Sequence, residues 1–481
     1  MKFPIKSLED MLTRRAFFPV LTAAPLLRSQ APPKQPNIIF ILTDDQGYGD
    51  IAALGNPVVR TPHLDKLHAQ SVCFTDYHAS PTCAPTRTSL MTGRHEFKSG
   101  VTHTILERER MSLKSTTIAQ VLKSAGYATG IFGKWHLGDA APYQPNRRGF
   151  DEVYIHGCGG IGQDYPGTCA DAPGNHYDNP TLMHNGSFEK THGYCTDLFF
   201  GQATKWIDQR RKAGPFFAYI ATNAPHLPLE CPEGYDKPYL DKGLDPATAK
   251  YFGMVTNIDD NVGRLMAKLH EWGMERDTLL IFMTDNGGTG GVKVFNAGMR
   301  GQKGTPYEGG TRVPLFVRWS GTFVPGDRRQ LTATIDLFPT FAEIAGAKIP
   351  ASVKLDGRSL MPVMRDAYAA WPDRYLFTHV GRWERGKAAE AKYAKCRVRN
   401  TRYSMVSMGP QKKWELYDLQ QDPGEKQDVA AQHPAVVAAM DAAYDKWWAE
   451  ILPCLENENA VPPQVAPYKE LYWKQFGGGP A

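Results

Sequence analysis

Short apolar runs bounded by polar turns alternate along the chain with segments whose apolar positions recur every three to four residues. Ile38-Ile39-Phe40-Ile41-Leu42 is the clearest run, and five consecutive apolar residues predict a strand buried on both faces. Residues 128–132, 216–221, 278–283 and 313–319 repeat the pattern. Between them, residues 115–127 place Ile118, Val121, Leu122 and Ala125 on one helical face, with Ser115 as the expected cap and Gly126 as the expected stop. The alternation predicts an α/β fold with a large, mostly parallel central sheet sandwiched by helices. From about Tyr375 the texture changes. Residues 374–380, 395–398, 403–407 and 414–419 are short alternating runs joined by turns, and a helix carrying Val436, Val437, Met440 and Tyr444 follows. A main domain over residues 36–370 and a smaller antiparallel-sheet-plus-helix subdomain over 371–481 are therefore expected.

Composition narrows the function classes. Of 481 residues, 42% are hydrophobic and 22% charged, the balance of a globular protein and not of a disordered chain. The net charge is +5, with no basic run suited to a phosphate backbone, which argues against nucleic acid as a partner. No stretch beyond the N-terminus reaches the length of an apolar membrane span. Thr13-Arg14-Arg15-Ala16-Phe17-Phe18 precedes an apolar stretch, and Ser29-Gln30-Ala31 offers small residues at a cleavage spacing, so residues 1–31 resemble a bacterial twin-arginine signal. Export to the periplasm or beyond is expected. Eight cysteines without a Cys-x-x-Cys pair argue against a zinc ribbon, and if one is reserved for chemistry at least one other stays free. Disulfides between the remainder are left open.

Polar clusters follow four of the predicted strands: Thr43-Asp44-Asp45-Gln46-Gly47, Gly133-Lys134-Trp135-His136, Asn223-Ala224-Pro225-His226 and Thr284-Asp285-Asn286-Gly287. Ligands of open α/β sheets bind beyond the carboxyl ends of the strands, so these clusters converge on the expected crevice. Asp44, Asp45, Asp285 and Asn286 would supply three carboxylates and an amide oxygen, a hard-oxygen set for Ca²⁺ or Mg²⁺ and not for zinc. Either motif alone reads as turn chemistry; the pair on matching strand ends reads as a cation site. Cys83-Ala84-Pro85-Thr86-Arg87-Thr88-Ser89-Leu90-Met91-Thr92-Gly93-Arg94 predicts a helix with Pro85 in its first turn and Gly93 at its end. Cys83 then sits at the helix N-terminus, where backbone N–H groups favour a thiolate or an anionic substrate group.

Cys-x-Pro-x-Arg followed by Leu-x-Thr-Gly resembles the signature of the formylglycine-dependent sulfatases, arylsulfatase-like members of the alkaline phosphatase superfamily. Asp44-Asp45, Gly133-Lys134-Trp135-His136-Leu137-Gly138, Ala224-Pro225-His226, Thr284-Asp285-Asn286-Gly287, Arg300-Gly301-Gln302-Lys303-Gly304 and Glu308-Gly309-Gly310-Thr311-Arg312-Val313-Pro314 resemble sulfatase motifs in sulfatase order. The likeness runs from about residue 36 to 450. Thr86 stands where serine is commoner and keeps the hydroxyl.

The resemblance implies hydrolysis of sulfate esters through a formylglycine that a separate maturation enzyme makes from Cys83. It also implies one Ca²⁺ held by Asp44, Asp45, residue 83, Asp285 and Asn286. One hydroxyl of the hydrated aldehyde would attack sulfur after losing its proton to Asp285, and loss of the second proton to His136 would eject sulfate. Lys134 and Lys303 would meet the sulfuryl oxygens, Arg87 would orient the hydrate, and His226 would protonate the leaving alcohol. A sulfated small molecule or glycan is the expected substrate. The competing readings are a phosphodiesterase or phosphonate monoester hydrolase on the same fold and a catalytically dead glycan-binding protein. The paired lysines and the intact set of candidate residues favour the sulfatase. The Gly-rich stretch that starts at Cys158 and runs through His176 reads either as a loop lining a pocket rim or as an irregular surface insertion.

Overall fold

The computed structural model describes Met1 and residues 35–479 except 158, 164, 166 and 170. The expected export signal, Met1 apart, lies outside the described residues. The strands in chain order are β1 (Asn37–Thr43), β2 (Val72–Phe74), β3 (Tyr77–His78), β4 (Ala128–Lys134), β5 (Glu152–His156), β6 (Thr181–His184), β7 (Ser187–Lys190) and β8 (Phe216–Ala221). They continue with β9 (Thr278–Thr284), β10 (Leu315–Arg318), β11 (Gly326–Arg328), β12 (Thr332–Ala333), β13 (Leu376–His379), β14 (Cys396–Arg399), β15 (Tyr403–Ser407) and β16 (Glu415–Asp418). Ten of them form one sheet in the order β11-β2-β10-β9-β1-β8-β4-β5-β6-β7. Its centre is parallel, β9 with β1, β1 with β8, β8 with β4 and β4 with β5, whereas β10, β6 and β7 join antiparallel towards the edges.

The uniformly apolar β1 serves two cores. Ile38, Phe40 and Leu42 face a layer that includes the helices Ile118–Ser124 and Leu337–Ala345, while Ile39 and Ile41 face the helices Pro62–Ala69, Cys195–Arg210 and Pro246–Glu271. Each such side chain contributes roughly 1.5–3 kcal/mol of burial. This is the helix-covered sheet that the apolar runs predict. The C-terminal strands β13-β14-β15-β16 form a separate four-stranded antiparallel sheet, and the helix Pro434–Ile451 packs Met440 and Tyr444 against it.

One helix boundary differs from expectation. The helix expected over 115–127 spans Ile118–Ser124 and is capped by Thr117, not Ser115. Thr117 Oγ1 accepts from the Gln120 N–H at 3.1 Å and Gln120 Oε1 accepts from the Thr117 N–H at 2.9 Å, a reciprocal box that Ser115 cannot form. No helix among the described residues is long and apolar enough to cross a membrane.

Candidate active site

The register of the central strands brings their polar ends together. Thr43 pairs with Thr284, Leu42 with Ala221, and Gly133 with Ala221, so the segments after β9, β1 and β8 and the end of β4 lie side by side. Gly133 is required here: at φ 117° a Cβ would sit 1.9 Å from the Ala221 carbonyl oxygen. Asp45 turns into the left-handed region at φ 63°, and its N–H donates to Asp285 Oδ1 at 3.2 Å. Asp44, Asp45 and Asp285 are all buried, and each offers one oxygen to a group in which these atoms lie within 4.8 Å of one another. Asn286 completes the set. Its Nδ2 donates to Asp45 Oδ1 at 3.0 Å, while its Oδ1 and Asp44 Oδ1 are buried without a hydrogen-bond partner.

Three cationic side chains surround these acids. Lys134 pairs with Asp44 Oδ2, Lys303 lies 2.7 Å from Asp45 Oδ2, and Arg87 donates to Asp285 Oδ2 at 2.9 Å and to the Lys134 carbonyl at 3.0 Å. The carboxylates are not equivalent. Burial and the charge of Asp285 push Asp44 up to about 8, against the pull of Lys134. Burial also raises Asp45, but Lys303 and His226 outweigh it and hold that carboxyl well below the usual range. Two buried, unpaired oxygens and an all-oxygen donor set fit a hard divalent cation at this point.

Cys83 begins the helix Cys83–Thr92, which is buried along its length and stopped by Gly93 at φ 64°. The expected thiolate is not favoured there. Burial pushes the thiol up to about 12, so desolvation outweighs the helix N-terminus and the nearby lysines. The imidazoles hold defined tautomers. His136 Nε2 donates to the Thr104 carbonyl at 2.8 Å, which leaves its buried Nδ1 as a lone pair without a partner, and burial followed by Lys134 keeps the ring neutral. His226 Nδ1 donates to the Leu227 carbonyl at 2.7 Å and its Nε2 lies 3.8 Å from Asp45 Oδ2. All the predicted site residues, Asp44, Asp45, Cys83, Arg87, Lys134, His136, His226, Asp285, Asn286 and Lys303, thus belong to this one region.

Some residues of the region are not evident from sequence. A Cβ on Gly159 would meet His136 Cε1 at 3.0 Å, and one on Gly160 would meet His226 Nδ1 at 2.8 Å, so the Gly-rich stretch packs directly on both imidazoles. The Tyr251 hydroxyl lies 2.8 Å from the Asp45 carbonyl oxygen and 2.6 Å from Asp50 Oδ2, within hydrogen-bond reach of both, and braces the turn that carries the acids. Asp50 lies close enough to Asp45 in sequence to be suspected; Tyr251, on a long amphipathic helix, reads only as core.

The Sulfatase family model matches residues 36–347, and the model of the N-sulphoglucosamine sulphohydrolase C-terminal region matches residues 302–446. The chain is a sulfatase. It is 31% identical to arylsulfatase A of Homo sapiens over 85% of this chain and 86% of that protein. It is also 31% identical to N-acetylgalactosamine-6-sulfatase of Rattus norvegicus over 76% of this chain and 72% of that one. The crystal structure of Ps i-CgsB in complex with k-i-k-neocarrahexaose superimposes with a TM-score of 0.78 at 28% identity, covering 92% of this sulfatase and 97% of the other chain. The sulfatase is accordingly a sulfuric ester hydrolase.

Proposed function

We propose that this sulfatase desulfates a polysaccharide or its oligosaccharides through a formylglycine made from Cys83, with one Ca²⁺ at the strand ends. The observation that carries the reading is the convergence of Cys83 and three buried carboxylates, with two buried oxygens of the set lacking a partner. The oligosaccharide complex of the related Ps i-CgsB supports a glycan as substrate.

Asp44, Asp45, Asp285 and Asn286 would hold the ion, whose charge would offset three crowded carboxylates and ease deprotonation of a neighbouring hydroxyl. Residue 83 in its hydrated aldehyde form would supply two hydroxyls on one carbon, one to attack sulfur and one whose deprotonation releases sulfate. Asp285, fixed by Arg87 and the Asp45 N–H, can take the first proton. His136 Nδ1 can take the second because its ring is neutral and its other nitrogen is occupied. Lys134 pairs with Asp44 and Lys303 with Asp45, and their ammonium groups would bind the sulfuryl oxygens. His226 Nε2 can protonate the leaving alcohol only from the doubly protonated ring, since its Nδ1 proton is engaged; Asp45 favours that form, and burial opposes it and holds the ring at about 4.

We also propose that residues 1–31 direct export and are removed, that a dedicated enzyme oxidises Cys83, and that 36–370 and 371–481 are the catalytic domain and its smaller subdomain. The test is release of inorganic sulfate from a panel of sulfated mono- and oligosaccharides by protein made with a formylglycine-generating enzyme. Turnover of a glycan sulfate is expected. Turnover of a phosphodiester in preference to every sulfate ester would overturn the reading.

A further inference from the structure

We infer that the C-terminal sheet positions the segments carrying Cys83 and Lys303 through a buried arginine clamp, an inference that rests on the roles proposed above for those two residues. The strand β14 alternates Cys396, Arg397, Val398 and Arg399. Cys396 and Val398 enter the small apolar core beneath the sheet, so the period of two puts both arginines on the other face, where they are equally buried. Two buried guanidinium groups on one face repel unless each is matched, and their partners come from the catalytic side.

Glu308 Oε1 accepts from Arg397 Nη1 at 2.9 Å and from Arg399 Nε at 3.0 Å. Arg399 Nη2 donates to Asp76 Oδ1 at 2.7 Å, and Arg397 Nη2 donates to Thr311 Oγ1 at 2.7 Å. His78 Nε2 lies 2.9 Å from Asp76 Oδ1 and its Nδ1 3.2 Å from Thr311 Oγ1, which closes the network. Further ties come from beyond β14. Glu425 Oε2 accepts the Glu308 N–H at 2.8 Å, and Arg300 Nη1 donates to the Tyr417 hydroxyl at 2.7 Å and to the Glu425 carbonyl at 3.0 Å.

The clamp therefore grips residue 300 on one side of Lys303 and residues 308–311 on the other. It also grips Asp76 and His78, which lead into Cys83. These two segments are joined directly, Gly304 N–H to the Pro81 carbonyl at 2.8 Å and Ala79 N–H to the Thr311 carbonyl at 2.8 Å. Lys303 has no regular element of its own; its loop takes its shape from these anchors. Arg397 and Arg399 are thus positioning residues that act through Glu308 and Asp76.

The test uses Arg399→Gln and Arg397→Gln in the full, matured enzyme, with Glu308→Gln as a variant that keeps the side-chain shape should the arginine variants fail to fold. Amide hydrogen exchange should quicken in residues 76–83 and 300–312 and stay unchanged in β1 and β9. With an aryl sulfate, kcat should fall on the order of 10²-fold with little change in KM, the signature of misplaced groups. Combined with Lys303→Ala, the loss should be smaller than the product of the two single losses. Exchange in 76–83 and 300–312 no faster than in the unsubstituted protein would overturn the inference, as would losses that multiply in the double variant. The exchange readout needs no turnover, so failure of the clamp and failure of the Cys83 chemistry are separate results.

Discussion

Two clusters in the sulfatase each gather three acidic or imidazole side chains, one atom of each within 4.8 Å of the others: Asp44, Asp45 and Asp285 at the strand ends, and Asp76, His78 and Glu308 against the arginine-bearing face of the C-terminal sheet. They meet the same electrostatic problem differently. On that face of the C-terminal sheet, two guanidinium groups match two carboxylates, and His78 stays neutral because burial followed by Arg399 pushes it down to about 4. At the strand ends, Lys134, Lys303 and Arg87 each pair with one acid, yet Asp44 Oδ1 and Asn286 Oδ1 are left without a partner. Closeness of acids therefore does not by itself mark a cation site; at the strand ends it is joined by an amide oxygen and a carboxylate oxygen that no donor meets. Glu109 and Asp139 show a third outcome, for burial pushes them up to about 8 and about 7. Those carboxyls are answered by protons.

The largest expected effect lies at the first cluster: Cys83→Ala should remove turnover in a sulfate-release assay while circular dichroism stays unchanged. Exhaustive chelation, or Asp285→Asn, should do nearly the same, and Ca²⁺ should restore the chelated enzyme better than Zn²⁺ because all the donors are oxygens. The contrast between clusters is sharpest in thermal denaturation. Ca²⁺ at a hundred times its dissociation constant should stabilise the apo-protein by about 2.7 kcal/mol. The gain should vanish in Asp44→Asn and persist in Asp76→Asn, and persistence in both would break the comparison. Lys303→Ala should lower kcat on the order of 10²-fold with a smaller change in substrate affinity, checked by steady-state kinetics on one aryl sulfate. The smallest effect concerns the protonated acids. Because their folded-state values lie above the usual carboxylate range, their stabilising protonated forms are fully present below about pH 4 and are lost as pH rises through about 7 and 8. The melting temperature should decline over that interval, and Glu109→Gln should flatten the decline.

The central strands and the placement of the polar clusters at their ends were legible in sequence because both depend on local pattern: an unbroken apolar run can only be buried on both faces, and polar residues directly after it must emerge at the sheet's carboxyl edge. Edge strands such as β6 and β7 were not legible, since short half-exposed segments carry no distinctive run. Thr117 was hidden by Ser115, although Gln120 three residues later marks the capping box. The raised thiol of Cys83 depends on how deeply the helix is buried, a tertiary property that helix position alone does not reveal. The clamp was hardest to read. Arg397 and Arg399 look like solvent-facing charges on an alternating strand until Glu308 and Asp76, each some 90 or more residues away, are seen to meet them.

The central claim, that Cys83 acts only after conversion to an aldehyde, is tested most directly by peptide mass spectrometry of residue 83 in protein whose sulfate-ester turnover has been measured on the same preparation. The account predicts that turnover scales with the fraction of chains carrying the aldehyde at position 83. Full turnover by protein that retains the thiol in every chain would contradict it.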